Sequence, residues 1–181
     1  MEKKPLREFF EQYIEGTAEK ALVPDAVLSL AHLTNAIANA IGLREKNFAV
    51  YVSTRTLKHL YDKKPAEEFG AILDGLDEVV RFPTHIYCNK TSKRGNYCLV
   101  GSFNGSMYIC PIEIFEFTPA LFGIAQFGAT RLGDAVGGTE IYITTAFRLR
   151  NEKYLAKYAL LWSREDGDPH RNALDAPEGV Y

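Results

Sequence analysis

The chain has 181 residues, of which 46% are hydrophobic and 24% are charged. A chain of this length buries enough apolar surface to fold without disulfides or structural metals, which excludes a disordered protein and a disulfide-stapled miniprotein. The formal net charge of -2 excludes an extended basic tail but leaves room for a local basic groove.

Targeting signals and cysteines bear on where the protein works. No apolar stretch approaches the roughly 20 residues that cross a bilayer, and no signal-peptide core follows residues 1–8. Cys88, Cys98 and Cys110 are odd in number and lack C-x-x-C spacing, which predicts reduced thiols rather than a disulfide framework or a zinc site. We therefore expect a cytoplasmic protein with no membrane partner.

Residues 1–46 carry two helical patterns and no evident chemistry. Apolar residues recur at helical spacing from Leu6 to Ile14 and again, over a broad face, from Val27 to Ile41. We expect a helical N-terminal segment whose apolar faces are mostly core. A partner-docking arm and an occluding lid remain alternatives for it.

Residues 47–164 are expected to form the main domain. A β-branched and aromatic run at 48–52 predicts a strand, and helical patterns follow at 55–62 and 65–80. Strands are then predicted at about 85–89, 96–103, 107–115, 140–147 and 158–163. Helices followed by an antiparallel β-meander predict an α+β fold with helices packed on one face of the sheet.

Two stretches fall outside this plan. Residues 117–139 contain scattered Phe and Gly and fit neither period, so we expect an insertion that acts as a flap or contacts a partner. Residues 165–181 are rich in Asp, Pro, Gly and Ala and are expected to form a frayed C-terminal tail.

No acidic residue occurs between Glu78 and Glu113. This stretch instead mixes basic and aromatic residues, namely Arg81, His85, Lys90, Lys93 and Arg94 with Tyr87, Tyr97, Phe103 and Tyr108. Cations attract phosphates and exposed aromatic rings stack on unpaired bases, so the pattern favours single-stranded nucleic acid as a partner. A solvated rim of charged loops explains the same composition equally well.

Common catalytic motifs are missing from the sequence. There is no Walker loop, no H-E-x-x-H and no calcium loop, and acidic residues do not cluster near the histidines, so we expect chemistry without a metal or cofactor. His59 lies between lysines on the first helix after residue 52, and histidine is the residue type that exchanges protons near neutral pH. A capping or packing role for it is the more frequent alternative, and the other three histidines are expected to be structural.

Three stretches resemble a known group of nucleases. Residues 50–61 resemble the strand, capped helix and histidine that open phage-associated members of the barnase, EndoU, colicin and RelE-like nuclease superfamily. Residues 82–95 look like the helix-to-sheet junction of these proteins, and residues 140–163 look like their closing strands. Members are ribonucleases, many of them toxins, that cleave RNA without a metal on the sheet face of a small domain.

The resemblance implies a ribonuclease-like domain of phage or mobile-element type, with RNA and a protein inhibitor or antitoxin as partners. Its candidate catalytic residues are His59, Arg94, Thr145 and Arg148, and the candidate substrate-binding residues are Lys58, Tyr87, Lys90 and Lys93. His59 would transfer protons while the cations neutralise the phosphate. The second proton-transfer group stays open among Lys90, Tyr87 and Tyr61.

Two functional hypotheses follow. The first is a metal-independent endoribonuclease that cleaves single-stranded or tRNA-like RNA by attack of the ribose 2'-hydroxyl. The second is a non-catalytic module of a phage or mobile element that binds RNA or a protein. A soluble α+β domain whose basic residues form only a solvated rim is the third possibility.

Overall fold

A computed structural model describes residues 4–44, 48–89, 96–117 and 138–164. The helices are α1 Pro5–Tyr13, α2 Asn35–Ala40, α3 Thr54–Lys63 and α4 Ala66–Arg81, and a 3-10 helix spans Glu152–Lys157. The strands are β1 Val27–His32, β2 Ala49–Ser53, β3 His85–Cys88, β4 Tyr97–Phe103, β5 Ser106–Phe117, β6 Gly138–Ile143, β7 Phe147–Arg148 and β8 Ala159–Ser163. Within these ranges, no helix has the length and apolar character needed to cross a membrane.

All eight strands belong to one sheet. Its order is β1, β2, β6, β5, β4, β3 and β8, with β7 pairing β5 beside the end of β6. Neighbouring strands are antiparallel except β2 and β6, which run parallel. The predicted α+β fold, with a meander of β3, β4 and β5 and helices on the sheet, is confirmed.

The second predicted helix of the N-terminal segment is wrong. Residues 27–32 form β1, which pairs with β2, and only Asn35–Ala40 is helical. A bulge between Ser29 and Ala31 buries Leu30 and Ala31 together. This interrupts the strict alternation of a strand and imitates helical spacing in the sequence. His32 consequently lies exposed on a strand.

The main core lies between one face of the sheet and helices α1, α3 and α4. Phe10, Tyr61 and Phe69 from the three helices pack with ring centroids 5.0 to 5.4 Å apart. Below them lie buried strand residues, among them Val50, Val52, Leu99, Cys110, Ile112, Ile141 and Ile143. Residues 4–44 therefore share a core and a sheet with the described residues of 48–164.

A smaller core closes half of the opposite sheet face. Cys98, Val100 and Ile109 are fully buried there, beneath side chains that include Phe147 and Leu155. Burial raises the pKa of the Cys98 thiol to about 11, so this thiol stays protonated at neutral pH and is a poor nucleophile. The other half of this face, on β2, β6 and β5, has no helix of the described residues packed on it.

Candidate functional site

A β-bulge interrupts the sheet between β6 and β7. Ile112 of β5 pairs with Ile143 and Ile109 pairs with Phe147, so residues 144–146 stand opposite two residues of β5. The Thr144 backbone N–H donates to the Pro111 carbonyl at 3.0 Å. Bulges redirect side chains and are common beside active sites. The predicted site residue Thr145 therefore lies at a position where the sheet geometry changes.

Helix α3 runs alongside this bulge. Its N-terminus is capped by Ser53, whose hydroxyl accepts from the Thr56 N–H at 3.1 Å. The Thr56 hydroxyl donates to the Ile143 carbonyl at 3.3 Å, and the Lys64 ammonium lies 5.3 Å from the centre of the Phe147 ring. From Thr56 to Lys64 the helix advances about 12 Å, and from Ile143 to Phe147 an extended chain advances about 13 Å. The two contacts are therefore about equally far apart along the helix and along the sheet.

His59 lies between these two contacts, on the side of α3 that faces away from the core. Arg55 and Lys63 stand one turn before and after it, so the three exposed side chains form one row on the helix. We call Arg55, His59 and Lys63 the basic row. Among the described residues, neither Arg55 nor His59 has an ion-pair partner, and the Lys63 ammonium is 3.9 Å from the Glu19 carboxylate.

Lys58 is buried rather than presented to a substrate. Its ammonium is bonded to the Asp62 carboxylate one turn later and donates to the Ala18 carbonyl at 2.8 Å. Both side chains are less than 10% exposed, at 7% and 9%. The hydrogen bond from Lys58 lowers the pKa of Asp62, to which the Lys20 N–H also donates at 3.0 Å. Lys58 thus holds the chain around residues 18–20 against α3.

Arg148 lies in β7, beside a carboxylate that covers the edge of this strand. Its backbone N–H donates to Glu68 at 3.2 Å, and the same carboxylate contacts Lys64 at 3.1 Å and Arg150 at 3.0 Å. Burial by itself would raise the pKa of Glu68, but these hydrogen bonds and charges outweigh it and the pKa is lowered. Glu68 therefore remains ionised, and the Arg148 side chain is exposed.

The remaining predicted residues are not brought to this place by the described structure. Tyr87 lies on β3, in the smaller core, and β4 and β5 separate it from β7. Burial and then the nearby Glu152 charge raise its pKa. Lys90, Lys93 and Arg94 lie outside the described residues, so their predicted roles stay predictions.

Sequence reasoning missed the two outer members of the basic row. The spacing of Arg55 and Lys63 by four residues on either side of His59 was the available signal, because residues four apart share a helix face.

An aromatic cluster on the open half of the sheet was also missed. The ring of Tyr142 lies 5.6 Å from that of Tyr51 and 5.9 Å from that of Phe115, centre to centre. Phe115 is 41% exposed. Burial, followed by the Glu140 charge and hydrogen bond, raises the pKa of Tyr142 to about 12. We call Tyr51, Phe115 and Tyr142 the aromatic patch.

The aromatic patch adjoins the bulge and the start of α3. Tyr51 is two residues before Ser53, and Tyr142 is two residues before Thr144, which is about 7 Å along each strand. Because β2 and β6 run parallel, both strands deliver these residues to the same end of the sheet. The aromatic patch lies on the sheet face opposite α3, so it and the basic row occupy different faces that are joined at this end of the sheet by the bulge.

The chain matches no protein-family model, no curated protein and no solved structure at a significant level. The resemblance of its three sequence stretches to the nuclease superfamily therefore stays a prediction. Among the described residues, no three His, Cys, Asp or Glu side chains gather where they could hold a metal ion.

Proposed function

We propose that the protein is a metal-independent endoribonuclease that binds single-stranded RNA along the basic row, with the chain passing around the end of the sheet at the bulge to the aromatic patch on the other face. The observation that supports this most is the position of His59, exposed between two cations on a helix whose first turn is hydrogen-bonded to Ile143, where the bulge that carries Thr145 begins. The sequence resemblance to ribonucleases supports the same conclusion independently of the structure.

The basic row suits a phosphodiester. Side chains one helical turn apart have Cβ atoms about 5 to 6 Å from each other, so a phosphate attracted by Arg55 or Lys63 comes within reach of the imidazole of His59. The exposed guanidinium of Arg148, across the bulge, would add positive charge for the reaction's phosphorane.

The reaction needs two proton transfers. The ribose 2'-oxygen attacks phosphorus while a base removes the 2'-hydroxyl proton, and the bond from phosphorus to the 5'-oxygen breaks while an acid protonates that oxygen. The products are a 2',3'-cyclic phosphate and a 5'-hydroxyl. His59 takes one of these proton-transfer roles, which typically contributes a factor of about 10² to 10⁴ in rate.

The aromatic patch suits unpaired bases. Stacking of a base on an exposed aromatic ring contributes about 1 to 3 kcal/mol and depends little on sequence. Phe115 offers such a ring, supported edge-on by Tyr142. The proposal therefore specifies single-stranded rather than duplex RNA.

One observation favours the second candidate, a non-catalytic RNA-binding module. Among the described residues, no group is hydrogen-bonded to the His59 ring, whereas proton-transfer residues are usually oriented by a neighbour. A basic surface of this kind binds the phosphates of RNA without cleaving the chain. Salt-sensitive RNA binding with no product would establish this alternative.

The deciding experiment measures cleavage of labelled single-stranded RNA by the purified full chain in EDTA. His59→Ala is compared with His32→Ala, because His32 is a second exposed histidine on a distant edge strand. Cleavage with cyclic phosphate ends that is lost only in His59→Ala would support the proposal. Cleavage that survives His59→Ala would remove His59 from the mechanism.

Growth of a host cell that expresses the protein provides an independent test of the toxin-like role. A toxin-like ribonuclease expressed without an inhibitor slows growth, and His59→Ala relieves the effect while His32→Ala does not. Equal growth of the wild type and both variants, at matched protein levels, would count against the toxin-like role.

A further inference from the structure

A cleft of about 180 Å³ opens at the C-terminal end of α4. It lies where α4, α2 and β8 meet, and its lining includes Arg81, Phe82, Trp162 and Arg164. Helix α4 has 16 residues, about 24 Å of length, and its other end adjoins β7 and the bulge. The cleft is therefore separate from the surface around His59, and we call it the arginine cleft.

Arg164 is held in place at this cleft. One of its guanidinium nitrogens donates to the Phe82 carbonyl at 2.7 Å and to the Pro83 carbonyl at 3.1 Å. Its backbone N–H donates to the Thr84 carbonyl at 2.8 Å. A guanidinium has five N–H donors, so others remain for a ligand. A donor that is already ordered loses less entropy on binding.

Arg81 brings a second guanidinium with no ion-pair partner among the described residues. Of the two acidic residues one turn earlier, Asp77 lies 3.4 Å from the Lys4 ammonium, and the exposed Glu78 forms no ion pair with Arg81. The Trp162 indole N–H is buried and has no acceptor within the described part of the chain. The guanidinium groups of Arg81 and Arg164 are donors only, which suits an anion rich in acceptor oxygens.

Phe82 adds an aromatic surface to this anion site. It is 56% exposed at the rim of the cleft, so its ring is accessible to a ligand. Exposed rings beside guanidinium groups stack on nucleobases, whereas the carboxylates of an acidic peptide have no planar ring to offer. The volume fits a phosphate and its sugar better than a whole drug-sized ligand.

We propose that the arginine cleft binds a nucleotide unit, with the phosphate held by Arg81 and Arg164 and the base stacked on Phe82. Binding here does not require that the basic row acts on RNA. The ligand can be a free nucleotide or a nucleotide within a chain, because both present the same phosphate and base.

The single tryptophan of the chain, Trp162, lines the cleft and reports its occupancy directly. Fluorescence of the full chain is measured during titration with adenosine monophosphate, ribose 5-phosphate, inorganic phosphate and adenosine at low salt. We expect saturable binding of adenosine monophosphate, about tenfold weaker binding of ribose 5-phosphate, and little binding of adenosine. A short adenine oligonucleotide then distinguishes a chain from a free nucleotide.

Two variants separate the parts of the ligand. Arg81→Gln should weaken adenosine monophosphate and ribose 5-phosphate alike by about tenfold or more, because both present the phosphate. Phe82→Leu should weaken the binding of adenosine monophosphate and leave that of ribose 5-phosphate unchanged. Lys153→Gln, which removes an exposed cation from the 3-10 helix, is the control and should change neither.

The outcomes separate this site from the proposed nuclease. His59→Ala should bind adenosine monophosphate as the wild type does, and Arg81→Gln should retain any RNA cleavage. Equal affinity for phosphate and adenosine monophosphate would overturn the nucleotide assignment, as would the absence of saturable binding. Tighter binding of a poly-glutamate peptide that is lost in Arg81→Gln would overturn it in favour of an acidic protein partner.

Discussion

Lys58 and His59 are neighbours in α3 but lie in opposite environments. Lys58 is buried, with its ammonium bonded to Asp62 and to the Ala18 carbonyl, whereas His59 is exposed and, among the described residues, unpartnered. One residue turns the side-chain direction by about 100° around a helix, which is enough to separate the two. The basic residues of one helix thus have two uses: buried pairs stabilise the fold, and exposed unpaired ones are available to a ligand.

Exchanging each neighbour for alanine tests this contrast most strongly. His59→Ala should lower RNA cleavage by a factor of about 10² to 10⁴ and leave the melting temperature unchanged. Lys58→Ala should lower the melting temperature, because the Asp62 carboxylate loses its partner, and should keep the cleavage rate at temperatures where it is folded. Initial rates and thermal melts measure both effects. A folded Lys58→Ala protein that does not cleave RNA would contradict the assignment of Lys58 to stability and of His59 to catalysis.

The outer members of the basic row should govern the salt dependence of RNA binding. Replacing Arg55 and Lys63 together by glutamine should weaken binding about tenfold at low salt and reduce the slope of log K against log salt by about 1.4, since each lost contact to single strands contributes about 0.7. Arg44→Gln, which removes an exposed cation between α2 and β2, at the other end of β2 from α3, is the matched control. An unchanged slope would show that the basic row does not touch phosphates.

The aromatic patch should contribute without affecting this slope. Phe115→Ala should weaken single-stranded RNA about fivefold, equivalent to roughly 1 kcal/mol of stacking, at every salt concentration. Tyr154→Ala removes an exposed ring from the 3-10 helix and serves as the control. If both variants bind like the wild type, RNA does not reach the patch.

The paired carboxylate Glu68 should show its effect only in stability and its pH dependence. Its pKa is lowered in the folded protein from an ordinary value of 4.5, so it stabilises the fold above about pH 4.5 and less as pH falls below that. Glu68→Gln should therefore lower the free energy of unfolding by about 1 kcal/mol at pH 7, a modest loss because its partner Arg150 is 73% exposed.

The difference in the free energy of unfolding between the wild type and Glu68→Gln should narrow as the pH is lowered from about 4.5 to about 3. Thermal melts across this range measure it. A difference that stays constant down to pH 3 would mean that the Glu68 carboxylate is not held ionised by Lys64 and the Arg148 N–H.

Local sequence patterns predicted the structure correctly where an element repeats one hydrophobic period over several residues. The apolar stripe of α4 predicts its buried face, and the β4–β5 hairpin follows from two short apolar strands joined by a two-residue turn. Asn104 and Gly105 join β4 and β5 with φ angles of 47° and 70°, the left-handed backbone that this dipeptide tolerates in two-residue hairpins.

Local patterns failed where pairing rather than periodicity decides the structure. Residues 27–32 have apolar side chains that fit a helix, but the bulge after Ser29 and the pairing with β2 make them a strand. The same limit applies to the candidate site. His59 and Thr145 are visible in the sequence, but the placement of α3 at the end of β6 depends on the parallel pairing of β2 with β6, which joins residues 91 positions apart.

The sequence by itself determined the α+β class, the helix that presents His59, and the presence of many basic and aromatic side chains, because helix caps, apolar stripes and turn dipeptides act over a few residues. Tertiary structure alone decided which cations are buried in pairs and which are free. It also decided that the aromatic patch meets the bulge and that Arg81 meets Arg164, because burial and charge pairing depend on residues far apart in the chain.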